Sequence, residues 1–187
     1  SAPADFWAFL NEFWWGKIED GLDHDMLRAA MDLSCYDMIR SGVTTFFDCL
    51  EAPNAIPGGL FVQGDIVRRW GLRGMLCFEA TQRVSDENGE LGLQENVDFI
   101  KASRERAPIE NPQSKIVNGA MCHHTTFTCS DEFIRKAHAL GITIAAATDG
   151  SYADNDDTGR IRIAHEIAML REHEGFTPLE SITAATL

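Results

Sequence analysis

The run ITIAAATDG, Ile142 to Gly150, is the most informative segment of the sequence for its architecture. Its β-branched residues and small alanines make a segment too uniformly apolar for a strand with one wet face, and it stops abruptly at Asp149 and Gly150. That pattern reads as a strand buried on both faces with a carboxylate at its C-terminal end, the kind of strand from which helix-covered parallel sheets are built. In barrels of such strands the catalytic residues sit at the C-terminal strand ends, so Asp149 is a candidate metal ligand or general base. An aspartate that accepts hydrogen bonds from the following turn is the other reading of the same position.

Working outward, Gly141 stops a helix that starts near Ser130, with Asp131 and Glu132 in the first turn where the helix dipole favours them. Before it, Lys115 to Cys122 reads as a strand. Further upstream, helical spacing predicts helices over Leu93 to Arg106 and Leu60 to Trp70, with VSDENGELG and EAPNAIPGG as loops. Leu72 to Ala80 and Val43 to Asp48 read as strands, and Leu27, Met31 and Cys35 predict a helix from His24 to Ser41. Asp5 to Trp15 carries a very aromatic helical face. Downstream of Gly150 come an acidic loop, SYADNDDTG, an amphipathic helix over Arg160 to His173, and TPLESITAATL, in which Thr177, Pro178 and Glu180 form a capping-box start. Alternating helices and strands predict an α/β fold with a parallel sheet, either a (β/α) barrel or an open doubly wound sheet.

Composition narrows the function. Sixteen Lys and Arg against 29 Asp and Glu give a formal charge of −13 with no basic stripe, which disfavours nucleic acid and anionic lipid as partners. No run of about 18 apolar residues is present, so no membrane span is expected, and the first residues carry no secretory pattern. The 5 cysteines form no CxxC pair and fit a reducing, cytoplasmic setting. No glycine-rich phosphate loop follows any strand.

Among chemistry-bearing residues, His123 and His124 lie just past a strand, where an imidazole could meet Asp149 across a ligand. Strand alternation lets only one of the two point inward. Asp48 and Glu79 also lie near strand ends. A zinc site from Cys122, His123, His124 and Cys129 matches no common spacing. The four histidines His24, His138, His165 and His173 fall on helices and read as surface or helix-end residues.

MIRSGVTTFFD, CHHTTFTCSDEFIRKAHAL and GITIAAATDG resemble stretches of the metal-dependent amidohydrolase superfamily. The resemblance is to its cytosolic aminohydrolase and chlorohydrolase branch, which holds guanine and S-adenosylhomocysteine deaminases. FWW, EAPNAIPGGL and LRGMLCFEATQR resemble the SsnA-like subgroup. It implies a (β/α)8 TIM barrel with a small β-sandwich, in which one divalent metal ion, zinc or iron, activates water against a carbon bearing an amino or chloro leaving group. It further implies that Asp149 binds the metal and accepts the proton of the attacking water, and that His124 contacts substrate. A small cyclic substrate and a homo-oligomeric assembly are also implied.

The HxH pair that opens the family's metal site does not occur in this sequence. The resemblance therefore implies that residues 1–187 are part of a barrel, with strands resembling the second, third, fourth and eighth, a junction near 140–141, and the β-sandwich left out. The alternative is a catalytically inactive barrel fragment acting as a scaffold or interaction module. An open sheet that binds a small ligand without metal is a third reading.

Overall fold

The computed structural model describes residues 5–105, 117–125, 127–140, 168, 171–172 and 176–186. The expected strand at Ile142 to Gly150, the acidic loop after it and most of the Arg160 to His173 helix lie outside the described residues. The chain divides into two compact units, Ser1–Thr128 and Cys129–Leu187. No described helix is long and apolar enough to cross a membrane.

The first unit is an α/β arrangement on a parallel sheet. A short turn, α1 (Phe6–Ala8), runs into a π-helix, Phe9–Glu19. Helix α2 (His24–Arg40) leads to β1 (Thr45–Leu50), α3 (Gly59–Trp70) to β2 (Arg73–Ala80), and α4 (Asp86–Glu105) precedes β3 (Val117–Gly119) and β4 (Cys122–His123). β2 is central: β1 and β3 pair with it in parallel on its two sides, and β4 continues the β3 pairing.

Local chemistry sets these boundaries. The Asp23 carboxylate caps α2 by accepting from the N–H groups of Asp25 and Met26 at 3.0 and 2.8 Å. Leu27, Met31 and Cys35, spaced by four, are its buried stripe. At the end of α3, Gly71 takes φ 74°, and the N–H groups of Gly71 and Leu72 return to Arg68 and Val67. That is the double closure a glycine at this position permits. The start of α3 is held from another helix, since the buried Glu95 carboxylate of α4 accepts from Gly58 and Leu60 N–H, each at 2.8 Å.

Three expectations need correction. The first helix is not a simple amphipathic α-helix: its turns widen to i→i+5 bonding, as in Asp20 N–H to Trp15 O at 2.9 Å, and only Trp15 and Glu19 are buried on it. VSDENGELG is mostly helix, because Ser85 caps α4 through Asn88 N–H, and because Gly92 lets α4 approach β2. A Cβ at Gly92 would stand 3.0 Å from Ala80 Cα.

Third, the strand expected over Lys115 to Cys122 is broken at Ala120 and Met121. Asn96, fully buried on α4, inserts there. Its Oδ1 accepts from Phe78 N–H, and its Nδ2 donates to Phe78 O at 2.8 Å and to Cys122 O at 3.2 Å. A side-chain amide thus replaces one rung of the ladder between Leu76–Gly119 and Glu79–Cys122. β1 also extends two residues past Asp48, to Leu50.

The sheet has unequal faces. Leu76, Phe78 and Val117 are buried with Leu60 and Val67 of α3 and Phe99 and Ile100 of α4. By strand alternation the other face carries Phe47, Cys49, Met75, Cys77 and Asn118. Phe47 is 57% and Met75 39% exposed there.

In the second unit, Ser130 caps α5 (Asp131–Ala139), which buries Phe133, Ile134 and Ala137. The His138 ring stacks on Phe176 at 4.1 Å. The expected capping box opens α6 (Pro178–Thr186): Glu180 N–H donates to Thr177 Oγ1 at 3.3 Å, and Thr177 N–H donates to Glu180 Oε2 at 2.8 Å.

Candidate functional site

Three strand ends of the first unit bring polar groups to one place on the open face. Glu51 follows β1 directly, Glu79 is near the end of β2, and His124 follows β4. One oxygen of each carboxylate and one ring nitrogen of His124 lie within 4.8 Å of one another. C-terminal strand ends are where an α/β sheet places its chemistry.

The imidazole is oriented by its own turn. His124 Nδ1 stands 2.8 Å from Thr128 Oγ1 and 3.4 Å from Thr125 Oγ1, and Thr128 Oγ1 is itself 3.0 Å from Thr125 O. On the other side of the ring, Nε2 stands 3.4 Å from Glu51 Oε2. Glu51 Oε2 is buried.

Arg83, just beyond β2, holds the other side of Glu51. Its Nε donates to Glu51 Oε1 at 2.8 Å and its Nη2 to Asp20 Oδ1 at 2.9 Å, while Glu19 Oε2 stands 3.5 Å from Nη2. The guanidinium lies 4.9 Å over the Trp15 ring. Burial opposes its charge, but the hydrogen bonds to Asp20 and Glu51 outweigh burial and hold it firmly cationic. Burial, followed by the hydrogen bond and negative charge of Glu51, pushes the Glu19 carboxyl from the ordinary 4.5 up to about 8. Glu19 is therefore protonated at neutral pH, and one guanidinium serves the remaining carboxylates around it.

An aromatic wall stands beside the polar cluster. Trp15 meets the His124 ring edge-on with centroids 6.3 Å apart, Phe127 does the same at 6.3 Å, and Trp7 packs edge-on against both Trp15 and Phe127. Carboxylate acceptors, an imidazole and indole faces together suit a small planar molecule with N–H or O–H donors at its edge.

Directly beneath, two residues back along each strand, lie Cys49, Cys77 and Cys122. The Sγ atoms of Cys49 and Cys77 are 3.4 Å apart. Hydrogen bonds from Cys122 and Cys77 hold the Cys49 thiol down, while those same contacts and burial raise Cys77.

Of the sequence candidates, His124 enters this cluster. His123 does not: it faces the helix side, with Nδ1 2.6 Å from His124 O. Asp48 also turns to the helices, where Gln63 Nε2 donates to it, and burial raises its carboxyl. In place of the zinc site from Cys122, His123, His124 and Cys129, which its spacing already disfavoured, the Cys122 sulfur joins Cys49 and Cys77. His24 Nε2 bonds Ala55 O at 2.7 Å at a helix start. Asp149 lies outside the described residues.

Glu51, Arg83, Glu19 and Trp15 escape sequence reasoning. A signal for part of the site does exist, because three strand ends share one spacing: Cys49-x-Glu51, Cys77-x-Glu79 and Cys122-x-His124. A step of two along a strand keeps each pair on one face.

Comparison with known proteins adds chemistry to this geometry. The chain is 30% identical over 132 residues to a 5'-deoxyadenosine deaminase of Methanococcus aeolicus, covering 71% of this chain and 28% of that protein. A 5-methylthioadenosine/S-adenosylhomocysteine deaminase of Carboxydothermus hydrogenoformans is 26% identical over 96% of this chain and 36% of its own length. A second deaminase of that name, from Archaeoglobus fulgidus, is 25% identical over 92% of this chain and 36% of its own length. The chain thus spans about a third of the length of these relatives. No family model matches. No solved structure matches.

These relatives are deaminases by name, which supports an aminohydrolase role at the level of the family and does not support the chlorohydrolase arm of the expectation. The scaffold reading is not favoured.

Proposed function

We propose that the chain forms part of the catalytic barrel of a metal-dependent aminohydrolase that removes an amino group from a small nitrogen heterocycle, an adenosine derivative being the favoured class. The observation that carries this is the Glu51–Glu79–His124 convergence at parallel strand ends, supported by the deaminase names of the relatives. In this reading β1, β2 and β3/β4 are the second, third and fourth strands, residues 142–150 form the eighth, and the rest of the barrel and the β-sandwich lie outside residues 1–187.

His124 is the substrate contact. Held at Nδ1 by Thr128, its ring presents Nε2 to a polar edge group of the substrate. Glu51 Oε2, buried beside the His124 ring, accepts the substrate's second donor. Arg83 holds the other oxygen of Glu51, and Trp15 and Phe127 flank the ring plane.

The oxygen and nitrogen donor set at this end of the sheet suits a divalent ion such as zinc or iron. Asp149 is the proposed metal ligand and the acceptor of the water proton. A bound divalent metal supplies hydroxide at neutral pH. The soluble-substrate partner is thus a small molecule, and a homo-oligomer is the proposed assembly.

The test is ammonia release by the full-length protein from 5'-deoxyadenosine and 5-methylthioadenosine, before and after chelation and zinc or iron return. Activity that is lost and restored supports the reading. His124→Ala and Glu51→Gln each remove a hydrogen bond to substrate and should lower kcat/KM by about 10- to 100-fold, the value of one such bond to a charged group. Unchanged kcat/KM in both variants would rule the site out.

A further inference from the structure

The cysteine layer beneath the site is not used by the proposed chemistry. Cys49, Cys77 and Cys122 come from three adjacent strand segments, β1, β2 and β4, with Cys49 and Cys77 directly opposite in register. Their three sulfurs lie within 4.8 Å of one another, and the Cys49–Cys77 pair is at 3.4 Å.

A thiolate–zinc bond is about 2.3 Å, so sulfurs sharing one ion stand about 3.8 Å apart in a tetrahedron and about 4.0 Å apart in a trigonal plane. The Cys49–Cys77 pair, at 3.4 Å, is a few tenths of an ångström tighter than either value, and the other two pairs lie within 4.8 Å. Cys77 is fully buried and fixed by β2, whereas Cys49 is exposed, so the cluster is rigid at its base and open to solvent at one member. A buried cysteine in an ordinary core touches aliphatic neighbours; here sulfur meets sulfur.

We infer that Cys49, Cys77 and Cys122 form a binding site for one soft, thiophilic d10 cation of the zinc(II) or copper(I) class, separate from the carboxylate–imidazole cluster above it. Soft thiolates select such ions over the hard cations that carboxylates favour. Binding displaces the thiol protons to solvent and forms three metal–sulfur bonds, with no change of oxidation state. A tetrahedral ion would keep a fourth position for solvent or another ligand. The inference goes beyond the proposed hydrolase activity and does not depend on it.

The experiment is a titration of the metal-free, fully reduced full-length protein with cobalt(II) as a spectroscopic stand-in, followed by displacement with zinc. Thiolate ligation gives an intense sulfur-to-cobalt charge-transfer absorption, which oxygen and nitrogen ligands at the upper cluster do not produce. The expected result is one such cobalt per chain, with affinity lowered more than about 100-fold in Cys77→Ser, beyond the loss typical of an outer-shell partner. Cys49→Ser, altering the member at the edge of the layer, gives the same loss. Cys35→Ser, in the buried stripe of α2 and away from the cluster, leaves the band unchanged. Cobalt that binds without charge transfer, or a band that survives in both Cys49→Ser and Cys77→Ser, would overturn the inference.

Discussion

Glu19 shows how one residue's surroundings set its chemistry. It sits on a π-helix, buried beside Glu51 and Arg83, and burial is the larger cause of its rise from 4.5 to about 8. An acid with a raised folded pKa binds its proton more tightly in the folded state than in the unfolded chain. Its contribution therefore favours folding below about pH 4.5 and is lost as the pH rises through about 8. Glu19→Gln keeps a neutral, hydrogen-bonding side chain at all pH values. Denaturant unfolding at pH 6 and pH 9 should show the wild type losing stability across that interval and the variant losing less; parallel losses would show that Glu19 is not the titrating group. None of this was legible in the sequence, where Glu19 is one acid among 29 acidic residues in a chain with a −13 charge. His124 was legible, because it follows a strand and alternation forces one of two neighbouring histidines inward. Its partners were not, because Glu51 and Arg83 are 32 residues apart and meet only through the pairing of β1 with β2.

Elements whose periodicity lies in their own side chains were read well, and those set by a neighbour were not. α2, α3 and β2 follow from their apolar spacing and their glycine or aspartate caps. The start of α4 was missed because Gly89 and Gly92 resemble loop residues until the closeness of β2 is known. The break between β3 and β4 could not be read from strand propensity, since it is made by Asn96 of another element. Asn96 satisfies both ladder groups of Phe78 in a place that water does not reach. Asn96→Leu would leave a buried N–H and a buried C=O without partners, at about 1–3 kcal/mol each. A loss of about 2–5 kcal/mol in urea unfolding is expected, with the Phe78 amide exchanging its hydrogen faster by a matching factor. A loss below 1 kcal/mol, on the order of a surface substitution, would mean that β3 and β4 close the gap themselves.

At the scale of the whole molecule, the sheet of the first unit poses a question of cover. Parallel sheets occur with both faces buried, yet only one face of this one packs against α3 and α4 among the described residues, leaving Phe47 at 57% exposure and Met75 at 39%. The relatives are about three times as long as the stretch they share with this chain, which gives the proposed barrel ample chain to enclose that face. Phe47→Glu separates the two situations. If the Phe47 face is the interior of a closed barrel in the full-length protein, the substitution buries an unpaired carboxylate and removes a packed ring, and stability should fall by more than about 3 kcal/mol, the range of a core aromatic deletion. If the face stays in water, the same change replaces an exposed ring with a charge, shifts stability within about 0.5 kcal/mol and improves solubility. Urea unfolding of the full-length protein reads the difference directly. The larger loss, together with slow modification of Cys49 by a thiol reagent in the native protein, would establish enclosure of the face that carries Glu51, Glu79 and His124.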